Sequence, residues 1–311
     1  MPTTLAEAQG RSNNVLEKGI IETIITPGEV LPLIPFQDFT GTTYDYRRES
    51  TLPTTPFRAV GDTWTESAST STLVSASLKI IGGDVDVDHF LQETLSNIND
   101  QQAIELQQKL KALARTINDA IVYGDEDNDP NEWDGLHDFL QTNTGQRVEL
   151  AAAGVETVLT ITKLRQMLRL IKLREPDALI MSRQMRDSMS KYYESLGSAL
   201  TPIERFGQKL LSFDNIPILA SDYVLDTEAY TATSFSAKTG GTGTSIFAVT
   251  FGVDALMGIS KGGITVRTFP DLETKDSMRT RVRWYLNPAV IKSTLAVAGI
   301  TGADPDGTIT A

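Results

Sequence analysis

Apolar residues at Ala103, Leu106, Leu110, Leu113, Ile117 and Ile121 are spaced by three or four, with Gln, Lys and Arg between them. That spacing puts them on one stripe of a helix. The stretch DQQAIELQQKLKALARTINDAIVY, capped by Asn99 or Asp100, therefore predicts a helix about 35 Å long, closed at Gly124. Upstream, DVDVDHFLQETL passes from strand alternation into a helix start, with Asp88 as the cap. Downstream, TITKLRQMLRLIKLRE predicts a helix capped by Thr160 or Thr162 and stopped by Pro176, and RQMRDSMSKYYESLG another, closed by Gly197. DALIMS reads as a short buried strand between these helices, and IPILASDYV as a strand after the second. YTATSFSAKTGGTGTSIFAVTF reads as a hairpin with a Gly-rich turn. DALMGIS, ITVRTFP and SMRTRVRWYLN are strands, and PAVIKSTLAVAGI returns to apolar packing.

The first 85 residues follow another pattern. Short apolar clusters (Leu16, Ile20, Ile21, Ile24, Ile25) precede Pro27, Pro32 and Pro35, which break whatever follows. A short helix and an extended arm are expected. The arm's Leu31, Leu33, Ile34 and Phe36 must bury either on this molecule or on a neighbour. Residues 40–85 read as a long two-stranded excursion. TTYDYRRES goes out, STLPTTPFRAVGD forms the far end, and TWTESASTSTLVSASLKIIGG returns. Its density of Ser and Thr argues against a core. An isolated hairpin is marginal in water, so this one is expected to rest on a partner surface.

Composition narrows the classes. The 311 residues are 40% apolar and 22% charged, an ordinary globular balance. No Cys is present, which excludes disulfides and thiolate chemistry. A net charge of −12 argues against a dedicated nucleic-acid reader or an anionic membrane surface, because phosphate binding needs clustered cations. No apolar run reaches the roughly 18 residues of a membrane helix. The start, MPTTLAEAQG, reads as lacking a secretory signal.

Several stretches, in this order, resemble the tailed-bacteriophage major capsid protein, the HK-ninety-seven-like fold. LEKGIIETIITPGEVLPLIPF is similar to the family's arm entry, and TLPTTPFRAVGDTWTES to its extended loop. LKIIGGDVDVDHFLQETL and the long helix are similar to its spine, and WDGL to the turn after it. GISKGGITVRTFPDLETKDSMRTRVRWYLNPAVI is similar to its closing strands. The resemblance implies an α+β fold: an N-terminal arm (1–39), an extended β-hairpin loop (40–80), a peripheral domain with the spine helix (81–145 and 253–288), and an α/β axial domain (146–252 and 289–311). It implies self-assembly into pentamers and hexamers of an icosahedral shell enclosing phage double-stranded DNA, in a virion assembled in the host cytoplasm. The arm and loop would lie across neighbouring copies. Expected partners are a separate scaffolding protein, a portal, a decoration protein and packaged DNA held without sequence specificity, with no membrane. No enzyme activity, cofactor or metal is implied. The loop has no Lys between Thr40 and Ser77, so a lysine crosslink is not carried over. Two alternatives stand: an encapsulin-type nanocompartment shell, and an acidic soluble α/β enzyme.

Candidate chemistry is sparse. In IVYGDEDNDPNEWDGLHDFL, Asp127, Asp129, Asn131 and Asp138 match four positions of a calcium loop, but Glu132 stands where the sharp turn needs Gly. The default is a solvated connector. TGGTGTS (239–245) lacks the ending of a phosphate loop. His89 and His137 form no zinc spacing. SMRTRVRW is more informative: Arg279, Arg281 and Arg283 share one strand face, Val282 and Trp284 the other. Like charges in a row need partners. These are either in the same chain or across a subunit contact, with Glu66 and Glu49 as candidate acids, and Arg47 and Arg48 finding carboxylates elsewhere.

Overall fold

The computed structural model describes residues 30–90, 101–150, 156–197, 201–205, 208–231, 234–270, 272–273 and 275–310. The caps expected at Asn99 or Asp100 and the helix expected before Pro27 lie outside these residues.

Helix α1 spans Gln101–Tyr123. Its stripe is buried from Leu106 through Leu110, Leu113, Ile117 and Ile121, whereas Ala103 is exposed. Gly124 ends it, though not through a left-handed cap. A Cβ there would lie 2.2 Å from the Trp133 carbonyl oxygen, so close chain approach demands the glycine. The stripe packs on a five-stranded sheet made of β1 (Phe36–Asp38), β4 (Lys79–Asp88), β14 (Leu256–Ser260), β15 (Thr265–Phe269) and β16 (Ser277–Ile291). In β16, Thr280, Val282 and Trp284 are buried while Arg281 and Arg283 face out, the division that period-2 alternation predicts.

The arm resolves one open expectation. Val30, Leu31, Ile34 and Phe36 are buried in this chain's own core, and β1 pairs in parallel with β14. Phe36 lies over the flat space at Gly258 and stacks on Trp284.

A second, eight-stranded sheet contains β5 (Arg147–Glu149), β6 (Thr157–Val158), β7 (Ala178–Met181), β8 (Thr201–Arg205), β9 (Gln208–Phe213), β10 (Ile216–Ala220), β13 (Thr244–Val249) and β17 (Val297–Asp304). Helices α3 (Ile161–Leu170) and α4 (Arg183–Ser195) cover one face through Leu164, Met167, Met185 and Met189. Thr160 caps α3 by accepting from the Lys163 amide, and Ser182 caps α4 by accepting from the Met185 amide. Residues of the opposite parity, Ile180, Phe247 and Val249, face the core shared with α1 and the short helix α2 (Leu136–Thr142).

The Gly-rich stretch is not the turn of a hairpin. Strand β11 (Ala229–Thr231) pairs with β12 (Ser234–Ala237), but β13 pairs with β17 and β7 instead. The glycines carry the chain from the small ribbon into the large sheet. A Cβ at Gly241 would lie 2.2 Å from the Glu228 carbonyl oxygen. Strand β16 runs through residue 288, so the chain passes from one sheet toward the other only after Ile291.

Candidate functional site

The hairpin is built from β2 (Thr43–Thr51) and β3 (Thr70–Ser77), paired antiparallel from Thr43–Ser77 to Glu49–Ser71, with a register shift before Thr51–Thr70. The outgoing residues alternate because one face of the base rests on the body. Tyr44 and Tyr46 pack with Phe39, Ala76 and Leu78 on Met257, Ile259 and Val290. The Tyr46 hydroxyl donates to the Ile291 carbonyl at 2.9 Å. Arg48 donates to the same carbonyl at 2.8 Å and to that of Lys292 at 3.0 Å. The carboxylate expected for Arg48 is therefore replaced by two backbone acceptors at the end of β16. Arg47 points the other way and donates to Ser71 Oγ at 3.3 Å. Glu49 is exposed on the same side as Arg47.

The acid-rich loop after α1 braces this base. Glu126 accepts from Lys79 at 2.6 Å, and the Pro130 carbonyl accepts from the same ammonium at 2.7 Å. Its aspartates serve the loop backbone. Asp125 accepts from the Asn128 amide, Asp129 from the Asn131 amide, and Asp134 from the Glu126 amide. Among the described residues no acid or histidine cluster has metal-binding geometry. Burial, with Asp134, Asp125 and Asp127 nearby, pushes the Asp138 carboxyl up to about 6.

Beyond the base the hairpin leaves the body. Phe57 and Val60 are fully exposed, and Leu52 and Trp64 are 71% and 63% exposed. Ordered β3 begins only at Thr70, so the return strand expected from Trp64 onward starts later. Within the tip, Arg58 lies over the Trp64 ring at 5.2 Å, and Ser67 ties the two legs by donating to the Thr54 carbonyl. Glu66 stands on this tip, exposed. These apolar side chains stand exposed and belong to none of the buried cores.

The arginine row takes partners in its own chain at two of three positions. Arg279 grips Asp86 at 2.6 and 2.7 Å, and Arg281 grips Asp84 at 2.7 and 2.8 Å. Hydrogen bonds from Arg281 and Arg279 hold the Asp84 and Asp86 carboxyls below the usual carboxylate range. Arg283 faces Gly82.

One polar cluster is illegible in the sequence. Glu228 is fully buried and accepts from the hydroxyls of Tyr123 at 2.6 Å, Ser245 at 2.7 Å and Tyr230. Burial, then the charge of Glu228, drives both tyrosine hydroxyls far above their ordinary range. His137 Nε2 lies 3.2 Å from Ser245 Oγ and 3.8 Å from Glu228 Oε2. Ser, His and Glu here do not form a relay, since both oxygens approach the same ring nitrogen and water has no access. The cluster joins α1, α2, β13 and the small ribbon. His89, by contrast, sits at the sheet end with Nε2 3.0 Å from the Pro270 carbonyl.

No curated protein sequence matches the chain. Among solved structures, the SrpI encapsulin of Synechococcus elongatus superposes with a TM-score of 0.66 at 15% identity, covering 90% of this chain and 88% of that one. The capsid of a native GTA particle gives 0.62 at 12%, covering 89% and 90%. Mycobacterium phage Bobi gives 0.59 at 12%, covering 88% and 89%. At such identities these likenesses speak for the fold, which is the HK-ninety-seven-like α+β fold of capsid shells. The family profile of the SU10 major capsid protein matches residues 4–215. With that match across most of its length, the chain belongs to the SU10 major capsid protein family.

Proposed function

We propose that this capsid subunit closes into pentamers and hexamers of an icosahedral shell around phage double-stranded DNA, each hairpin lying across a neighbouring copy. The observation that carries the reading is the hairpin itself: a ribbon anchored at Tyr46 and Arg48 whose tip exposes Phe57, Val60 and Trp64 to solvent. A lone molecule gains nothing from such a tip, while a shell buries it once per contact. The arm's described part, residues 30–39, serves its own subunit instead. The two sheets support the division into a peripheral part carrying α1 and an axial part carrying α3 and α4. Assembly of this kind is structural and requires no catalytic step, cofactor or metal. The net charge of −12 suits a wall that encloses DNA without gripping it. Scaffolding, portal and decoration proteins are the further partners of this reading, with assembly in the host cytoplasm.

The encapsulin likeness favours one second reading, a protein-filled compartment on the same fold. Expression of the chain with its neighbouring genes, negative-stain imaging and nuclease treatment separate the two. Closed particles holding nuclease-protected DNA are expected. Particles filled with a cargo protein would favour the compartment, and a compact monomer at assembly concentrations would overturn both.

A further inference from the structure

Helix α3 turns toward solvent a face unlike those of the other described α-helices. Between Glu156 and Glu175 the sequence has no acidic residue and five cations, Lys163, Arg165, Arg169, Lys172 and Arg174, in a chain whose net charge is −12. The other described α-helices each carry an acid, Glu105 in α1, Asp138 in α2 and Asp187 in α4. Burial of Ile161, Leu164 and Met167 against the eight-stranded sheet fixes how α3 is turned. Thr162, Arg165, Gln166 and Arg169 are thereby left exposed on the opposite side, and Lys172 is exposed just past the helix end.

Little in the chain neutralises this row. Arg165 lies 3.8 Å from Asp214, with both side chains more than half exposed, an arrangement that holds weakly in water. Arg174 is drawn aside to Asp177 and Asp254, each at 3.7 Å. Lys163, Arg169 and Lys172 have no ion-pair partner among the described residues. Every side chain of the face can donate a hydrogen bond and none is an anion, and Arg, Lys, Thr and Gln are the side chains that phosphate oxygens take. Arg165 and Arg169 stand one turn apart, about 6 Å along the axis. Phosphates of one DNA strand recur every 3.4 Å or so, so the two guanidinium groups meet roughly every second one. The large apolar side chains that stand exposed include none on α3, whereas a protein partner would need an aromatic or aliphatic anchor there.

We propose that the outer face of α3 is the surface through which the subunit meets double-stranded DNA, with Arg165, Arg169 and Lys172 on phosphates and no contact to bases. The inference rests on the shell reading above and deepens it. It names the residues that touch the enclosed DNA and turns the α3 side of the eight-stranded sheet toward the shell's interior. The contact is light. About three cations per copy give a hold that salt weakens steeply. The acidic remainder of the chain repels the duplex elsewhere, so DNA is touched at one face of each copy and nowhere gripped.

Footprinting tests it on the unaltered chain. DNA-filled particles and empty shells are separated by density and treated with an amine-acetylating reagent, and the modified lysines are mapped by mass spectrometry. Lys172 should react several-fold less in the filled particles. Lys261, exposed in the turn between β14 and β15, should react alike in both. A second measurement uses the full chain with a short fluorescent DNA duplex. At low salt the triple variant Arg165→Gln/Arg169→Gln/Lys172→Gln should bind about tenfold or more weakly than the unaltered chain, and the slope of log affinity against log salt should fall by about three. Circular dichroism checks that the variant folds. Equal reactivity of Lys172 in filled and empty particles, an unchanged salt slope, or a folded triple variant unable to form particles, which would make the face a contact between copies, would each overturn the DNA contact and leave the shell reading standing. Failure of the unaltered chain to enclose DNA at all would overturn the shell reading, and this assignment with it.

Discussion

At the scale of single residues, three carboxylates show how surroundings set the sign of a charge's contribution. Asp138 is pushed up to about 6 from an ordinary 3.8. A carboxyl raised in the fold takes its proton there before it does in the unfolded chain. It therefore costs stability above pH 6, and that cost disappears as pH falls toward the ordinary value. Asp138→Asn should raise the melting temperature at about pH 7.5 and change it little at about pH 4; equal shifts in thermal melts at both would contradict the assignment. Asp84 and Asp86 have the opposite sign. Their stabilisation is present above the ordinary carboxylate range and is lost as pH falls through the lowered folded values. Glu228 is satisfied by three hydroxyl donors. Removing it leaves Tyr123 and Tyr230 buried without their acceptor, at a cost of about 3 kcal/mol, read by urea unfolding of Glu228→Ala. A loss under about 1 kcal/mol would mean that water replaces the carboxylate.

At the scale of elements, the hairpin is held by its base alone. Arg48 supplies two bonds to the carbonyls at the end of β16, and Tyr46 a third. Arg48→Ala should speed amide exchange across Thr43–Thr51 and Thr70–Ser77 while α1 stays protected. Hydrogen-exchange mass spectrometry reads this, and unchanged hairpin protection would assign the anchoring to the tyrosine cluster instead. Local pattern had revealed the hairpin, α1, α3 and α4, because apolar periodicity and caps such as Thr160 and Ser182 are written within a few residues. It misplaced the Gly-rich stretch. Two apolar runs around a glycine cluster suit a hairpin equally well as a crossover, and only pairing of β13 with β17, some fifty residues on, decides.

At the scale of the whole molecule, the arm and the hairpin part ways. The described arm completes this subunit's own sheet, whereas the tip's aromatic side chains find no cover in one chain. Among the described residues the tip is thus a projecting element that its own chain leaves uncovered, and in the proposed shell reading a neighbouring copy covers it. By itself the sequence determined α1, α3 and α4, the two faces of β16, the net negative charge and the order of elements that marks the family, because these follow from spacing and composition along the chain. Only the tertiary structure decided who meets whom: Asp84 and Asp86 for Arg281 and Arg279, carbonyls rather than carboxylates for Arg48, four separate elements around Glu228, and a glycine opposite Arg283. Most such partners lie far apart along the chain, about two hundred residues for the arginine–aspartate pairs, and periodicity places a side chain on a face without naming what stands across from it.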